Sequence, residues 1–186
     1  SAQDSRETFG RMAMNDEETA ALTAGGHTFG KAHGAASEDH KGENPESAEI
    51  HEQGFGWTSD YKSGKGVDAI TSGIEGPWTP NPIKWDMDYL RLLFKYDWEL
   101  KKSPAAAWQW HPKDCEEADM VLQVDGSDQK VLPMMTTADM ALKVDPAYRK
   151  VCENFIENPE HFGETFARAW FKLLHRDMGP KTNYIA

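Results

Sequence analysis

Gly25-Gly26-His27-Thr28-Phe29-Gly30-Lys31-Ala32-His33-Gly34 is the stretch whose reading decides how the rest of the chain is arranged. Ahead of it, Asn15-Asp16-Glu17-Glu18 sets an N-cap residue three positions before a glutamate, the reciprocal pattern that satisfies two free backbone donors at a helix start. The helix is expected to read Thr19 to Ala24 and to stop at the glycine pair. A lone histidine between glycines is more often structural than a ligand, so residue type by itself leaves His27 open.

Working outward, the chain opens inside an amphipathic pattern, with Phe9, Met12 and Ala13 at helical spacing and no cap ahead of them, which predicts sequence upstream of Ser1. On the other side, residues 35 to 70 are polar apart from a few apolar residues such as Ile50, Phe55, Trp57 and Tyr61. Loops longer than about 12–15 residues are uncommon unless functional or disordered, so this one is either the rim of a site or a tolerated insertion. Gly73, Gly76, Pro77 and Pro80 then impose an extended path that pins Trp78. Asp86 is expected to cap a core helix carrying Met87, Leu90, Leu93, Phe94 and Trp98. The alternation in Ala107–His111 predicts a strand pairing with Val131–Met134 as a short hairpin. Asp145-Pro146 opens a helix to about Asn154, and Pro159 opens another with Phe162, Phe166, Ala167, Trp170 and Leu173 on one face, stopping near Met178-Gly179-Pro180.

Composition excludes several classes. The chain has 186 residues, 39% of them hydrophobic, enough for one core. Its formal net charge of -11 argues against a protein that grips nucleic acid or an anionic membrane. No apolar run approaches the roughly 20 residues a membrane helix needs, and Ser1-Ala2-Gln3-Asp4 resembles no signal peptide. Cys115 and Cys152, far apart and without zinc spacing, write no disulfide framework and fit a reducing, cytoplasmic location. Of seven histidines, His27 and His33 lie six apart, which is not the helical spacing of a zinc protease.

Several motifs occur in order. Met12-Ala13-Met14-Asn15-Asp16-Glu17-Glu18-Thr19 runs into GGHTFGKAHG at 25–34, followed by TSGIEGPW at 71–78, KSPAAAWQW at 102–110 and LHRDMGP at 174–180. Over nearly the whole chain this resembles the bacterial-type catalase-peroxidases, class I haem peroxidases. The resemblance implies a mainly α fold with a small β-hairpin and a long loop, in which residues 1–186 form the proximal part of a single, incomplete haem-peroxidase domain. The distal half would lie upstream of Ser1, and a haem-free domain beyond Ala186.

It further implies haem b, with His27 as the iron ligand, Trp78 stacked beside it and Asp139 accepting hydrogen bonds from both. Lys31 and His33 would approach a haem propionate, and Ser72 the haem edge. Met12 would be crosslinked to a tyrosine, and Arg176 would swing toward that tyrosine during catalase turnover. Without the resemblance, Asp139 reads as a helix cap, Ser72 as a turn residue, Met12 as core filler and Arg176 as a helix C-terminal cation. The implied activity is bifunctional. Hydrogen peroxide would be decomposed to water and oxygen, and small-molecule electron donors oxidised, through a ferryl haem intermediate in a homo-oligomer whose distal residues come from outside this chain. The alternatives are a non-catalytic fragment or haem-binding assembly piece, and a loop-rich binding module built on residues 35–70.

Overall fold

The structure is a computed structural model that describes residues 1–54 and 56–183; Phe55, read above as one of the loop's apolar residues, lies outside the described residues. In chain order the elements are α1 (Ala2–Arg11), α2 (Asp16–His27), β1 (Lys31–Ala32), β2 (Gly76–Pro77), α3 (Asp88–Lys95), β3 (Trp98–Lys102), β4 (Trp108–Pro112), β5 (Val121–Leu122), β6 (Lys130–Val131), α4 (Thr137–Val144), α5 (Pro146–Glu157) and α6 (Pro159–His175). The expected mainly α character holds. Contacts divide the chain into two compact units, residues 1–26 with 137–186, and residues 27–136.

The first unit is helical. Its α2 starts on the expected capping box, with Glu18 N–H donating to Asn15 Oδ1 at 2.8 Å and Asn15 N–H to Glu18 Oε2 at 3.0 Å. Lys172 of α6 donates to the same Glu18 carboxylate at 2.9 Å. Met14, Leu22 and Ala169 form a buried cluster covered by Phe9, Met12, Phe166 and Leu173. Contrary to expectation, α2 does not stop at Gly25-Gly26 but runs on to His27. Gly25 is there for packing: a Cβ on it would sit 2.2 Å from the Phe166 ring. The chain leaves the helical region at Gly30, with φ +73, a conformation that glycine adopts without penalty.

A fork of ion pairs joins three helices of this unit. Arg6 on α1 donates from Nε to Asp16 at 3.0 Å and from Nη1 to Asp145 at 2.9 Å, and its guanidinium lies 4.3 Å from the centre of the Tyr148 ring. Asp145 Oδ1 also accepts from the Ala147 and Tyr148 N–H groups, capping α5 as Asp145-Pro146 predicts.

Among its described residues the second unit holds three two-stranded antiparallel ladders and the α-helix α3. The expected hairpin is re-partnered. Residues 108–112 pair with 98–102, Trp98 opposite Pro112 and Lys102 opposite Trp108, whereas Val131 pairs with Val121. One residue beyond the expected partner segment, Met135 exchanges backbone hydrogen bonds with Trp110, at 2.7 and 2.8 Å. The short connection through Ser103–Ala107 closes a local hairpin at less entropic cost than a closure across the 113–130 segment. This also ends α3 at Lys95 rather than Trp98: Tyr96 turns extended, and the Trp98 indole folds back to donate to Leu93 O at 3.1 Å. The helix starts at Asp88 with Met87 at its N-cap, and Asp86, expected as the cap, lies one residue earlier, its Oδ1 accepting from Asp88 N–H at 3.0 Å.

The long loop has pinned ends. Gly34 bridges Ile70 and Lys41 bridges Ser59, and Ile70, Ala36 and Ala105 make a small buried cluster with Tyr61 against it. Deeper in the unit, Tyr89, Leu90, Leu92 and Leu93 of α3 are buried, as are Met134 and Met135. Among the described residues no helix is long and apolar enough to cross a membrane.

The Arg6 hydrogen bonds hold the Asp145 carboxyl down at about 2, against burial that pushes it up. A depressed carboxyl contributes stability that is full above its unfolded value near ~3.9 and lost as pH falls through the folded value. Asp145→Ala should cost about 1–2 kcal/mol near neutral pH. In chemical denaturation the gap from the unsubstituted protein should narrow as pH falls from about 4 toward 2.

Candidate functional site

His27 closes α2, and Trp78 follows directly on β2, where Pro77 fixes the backbone. Their rings lie parallel, 4.1 Å between centroids and 18° between planes. Tyr89, fully buried on α3, presents its ring to His27 in an edge contact at 6.1 Å and 66°. The residues just after the stacked pair are also joined: Thr28 and Thr79 are both buried, and Thr79 Oγ1 donates to Thr28 O at 3.3 Å. Gly30 N–H donates to Pro82 O at 2.7 Å, and Met134 N–H to Pro77 O at 2.8 Å. The imidazole is therefore half-buried with one face covered by an indole and a second aromatic ring at its edge.

On the other side of the stack, β1 pairs with β2, Lys31 opposite Pro77 and Ala32 opposite Gly76. Lys31 Nζ donates to Glu75 Oε1, and both side chains are largely buried. Lys31 is thus already committed to a carboxylate of its own chain. Gly34 N–H donates to Glu75 Oε2 at 2.6 Å. Between them, His33 has a buried Nδ1 that meets no hydrogen-bonding partner. Burial pushes the His33 imidazole below its ordinary value, the Lys31 charge adds to this, and the Glu75 charge opposes it.

Ser72 is exposed in the turn between His33 and Trp78, while Thr71 N–H donates to His33 O at 3.0 Å. The three remaining expected site residues belong to the helical unit. Asp139 is fully buried in the first turn of α4. Met12, just past α1, and the exposed Arg176, just past α6, line one cavity of about 410 Å³ together with Arg11, Phe171, Lys172 and His175. The structure therefore brings together His27 with Trp78, Lys31 with His33, and Met12 with Arg176.

Tyr89, Glu75 and Gln109 were not singled out from the sequence. Tyr89 was legible as part of the stripe Tyr89, Leu92, Leu93, Tyr96 at helical spacing. Glu75 had a weaker signal, an acid enclosed in the rigid stretch Gly73-Ile74-Glu75-Gly76-Pro77. Gln109 had none beyond its inward place in an alternating strand. Both cysteines are free, and burial pushes the Cys152 thiol up to about 12. Among the described residues no cluster of His, Cys, Asp and Glu could hold a bare metal ion.

Comparison with known proteins places this geometry in context. A family model described as Peroxidase matches residues 1–158. The chain is similar to a catalase-peroxidase of Ruegeria sp. (strain TM1040), 66% identical over 185 residues, which covers 100% of this chain and 25% of that protein. It is also similar to catalase-peroxidase 1 of Alkaliphilus metalliredigens (strain QYMF), 60% identical over 185 residues with the same coverage. A catalase-peroxidase of Geobacillus kaustophilus (strain HTA426) is 60% identical over 184 residues, 99% of this chain and 25% of its own length. The chain spans about a quarter of the length of the curated relatives it matches.

The His33 environment gives a direct measurement. In a histidine proton NMR titration His33 should titrate below the ordinary imidazole value of about 6.5. Lys31→Met, which removes a nearby cation and leaves the Glu75 charge, should move it upward; a downward move would show that Lys31 is not its neighbour in solution.

Proposed function

Because the chain belongs to the peroxidase family, we propose that it carries the proximal side of a catalase-peroxidase haem site, with His27 as the iron ligand. The observation that supports this reading best is the parallel stack of His27 on Trp78 at 4.1 Å, which holds one imidazole face to face with an indole. The residues present fit a haem. One imidazole suffices where a porphyrin supplies four nitrogens, and the buried, partnerless Nδ1 of His33 is suited to donate to a propionate carboxylate.

Bound there, haem b supplies the redox-active iron for turning hydrogen peroxide into water and oxygen and for oxidising small-molecule electron donors. The protein's part is to hold and tune. Trp78 and Tyr89 prevent the His27 ring from rotating. Asp139 is proposed as the carboxylate that accepts from the far nitrogen of His27 and from the Trp78 indole; such an acceptor fixes the imidazole tautomer and raises its basicity. His33 donates to a propionate, Ser72 stands at the haem edge, and Lys31 acts through its Glu75 partner rather than as a free cation. Met12 and Arg176 serve the catalase reaction as crosslink partner and mobile guanidinium, which their shared cavity allows. Proton transfer within peroxide needs an acid–base group on the opposite haem face, which the rest of the catalase-peroxidase would supply. A homo-oligomer in the cytoplasm completes the reading.

A second reading, a haem-binding assembly piece without turnover of its own, draws on the exposed Trp170, Phe171 and Leu174 at the end of α6 and Met178 just past it.

Absorbance tests the ligand. Protein reconstituted with haem should show a Soret band with a histidine-ligated signature, and His27→Gly should lose it and regain it with added imidazole. Oxygen release from peroxide separates the enzyme from the assembly piece. Asp139→Asn should raise the iron reduction potential in spectroelectrochemistry; an unchanged potential would remove Asp139 from the site.

A further inference from the structure

Every hydrogen-bonding group of Glu75 is engaged. Oε1 accepts from Lys31 Nζ, and Oε2 from Gly34 N–H at 2.6 Å. Its backbone N–H donates to Gln109 Oε1 at 2.9 Å, and its carbonyl accepts from Gln109 Nε2 at 2.8 Å. The residue thus ties together three stretches that are distant in sequence: 31–34, its own segment before Trp78, and β4.

We propose that Glu75 is a positioning residue for the haem site, acting through Lys31 and Gly34 to fix the His27–Trp78 stack and the His33 donor; this rests on the reading of His27 given above. Lys31 lies four residues after His27, and Glu75 three before Trp78. The ladder between these segments has only two residues per strand, Lys31–Ala32 against Gly76–Pro77, too few to be stable unaided. The Glu75 side chain supplies what the ladder lacks. Two charge-assisted hydrogen bonds fall on either side of His33, in a place where the Lys31 and Glu75 side chains are only 10% and 16% exposed.

The backbones themselves leave no slack. A Cβ on Gly34 would lie 2.4 Å from Gly73 O. Gln109, fully buried on β4, grips the Glu75 backbone from the hairpin side and reaches His111 Nε2 at 2.9 Å. A carboxylate is required rather than an amide, because one group must accept from an N–H and also neutralise a buried ammonium. Removing one partner of such a pair leaves an uncompensated charge, whereas removing both charges together is tolerated far better.

That asymmetry defines the experiment, carried out on the haem-loaded protein. Glu75→Gln should weaken haem affinity by about 10- to 100-fold, the range seen when a group supporting a metal ligand is lost. It should also broaden the axial-ligand signal in electron paramagnetic resonance. Lys31→Met/Glu75→Gln, in which the amide still accepts from Gly34 and no ammonium is stranded, should regain most of the affinity and the narrow signal. In haem-free protein the His33 titration should shift in Glu75→Gln and less so in the double variant. Wild-type affinity and signal in Glu75→Gln would overturn the proposal, as would equal impairment of both variants. Should the single variant not fold, a double variant that folds and binds haem tightly supports the ion-pair argument, and one that folds and binds poorly overturns it. His27→Gly is run alongside. If it keeps the wild-type axial signal, the ligand reading fails; if it loses the signal while Glu75→Gln keeps it, only the role of Glu75 fails.

Discussion

The stack of His27 on Trp78 depends on a crossing of two segments, 27–34 and 70–79, held together by few backbone hydrogen bonds and much side-chain chemistry. Two flat rings 4.1 Å apart are in contact over a whole face, so a small slide between the segments would separate them. Flanking pairs on both sides resist that slide: Thr79 to Thr28 beyond the stack, and Glu75 to Lys31 and Gly34 before it. Further out, Gly34 bridges Ile70 and Thr71 N–H reaches His33 O, so the loop from 35 to 70 leaves and returns at one place. A loop closed in this way can be long without loosening the crossing, since closure entropy grows only slowly with length.

Charge is used differently in different parts of the molecule. In the helical unit Arg6 gathers Asp16 and Asp145 around one guanidinium. In the other unit Asp119 takes hydrogen bonds from Arg91, Lys95 and Tyr96. Burial pushes the Asp119 carboxyl up, and the three donors overcome it, holding the group well below the usual carboxylate range. These are structural ties between elements. Around His27 and Trp78 aromatic rings, threonine hydroxyls and backbone are in contact, with the Lys31–Glu75 ion pair beside them and the nearby His33 biased toward its neutral form by burial.

The helices were the most legible part of the sequence. Asn15 and Glu18, Asp145-Pro146 and Pro159 each announce a start through local chemistry, because the unmet backbone donors of a helix are satisfied within a turn of sequence. Stops were less legible. Gly25-Gly26 has the composition of a terminator, yet Gly25 serves close approach to the Phe166 ring, a residue 141 positions away. Strand partners were least legible: the pattern in Ala107–His111 signals a strand but says nothing about which strand lies beside it, and Trp98, read as the end of a helix, opens the partner strand.

The sequence by itself determined the helix starts at Asn15, Asp145 and Pro159, the capped helix leading to His27, the rigid path to Trp78 and the resemblance that singled out both. Local backbone chemistry and motif order suffice for that. Only the tertiary structure decided that Lys31 faces Glu75, that His33 keeps a buried nitrogen without a partner, that Tyr89 stands at the edge of the imidazole, and that Gln109 braces the crossing. Those facts arise from contacts between residues 34 to 62 positions apart, whose side chains carry no mark of one another until burial removes water and leaves each polar group to find its partner.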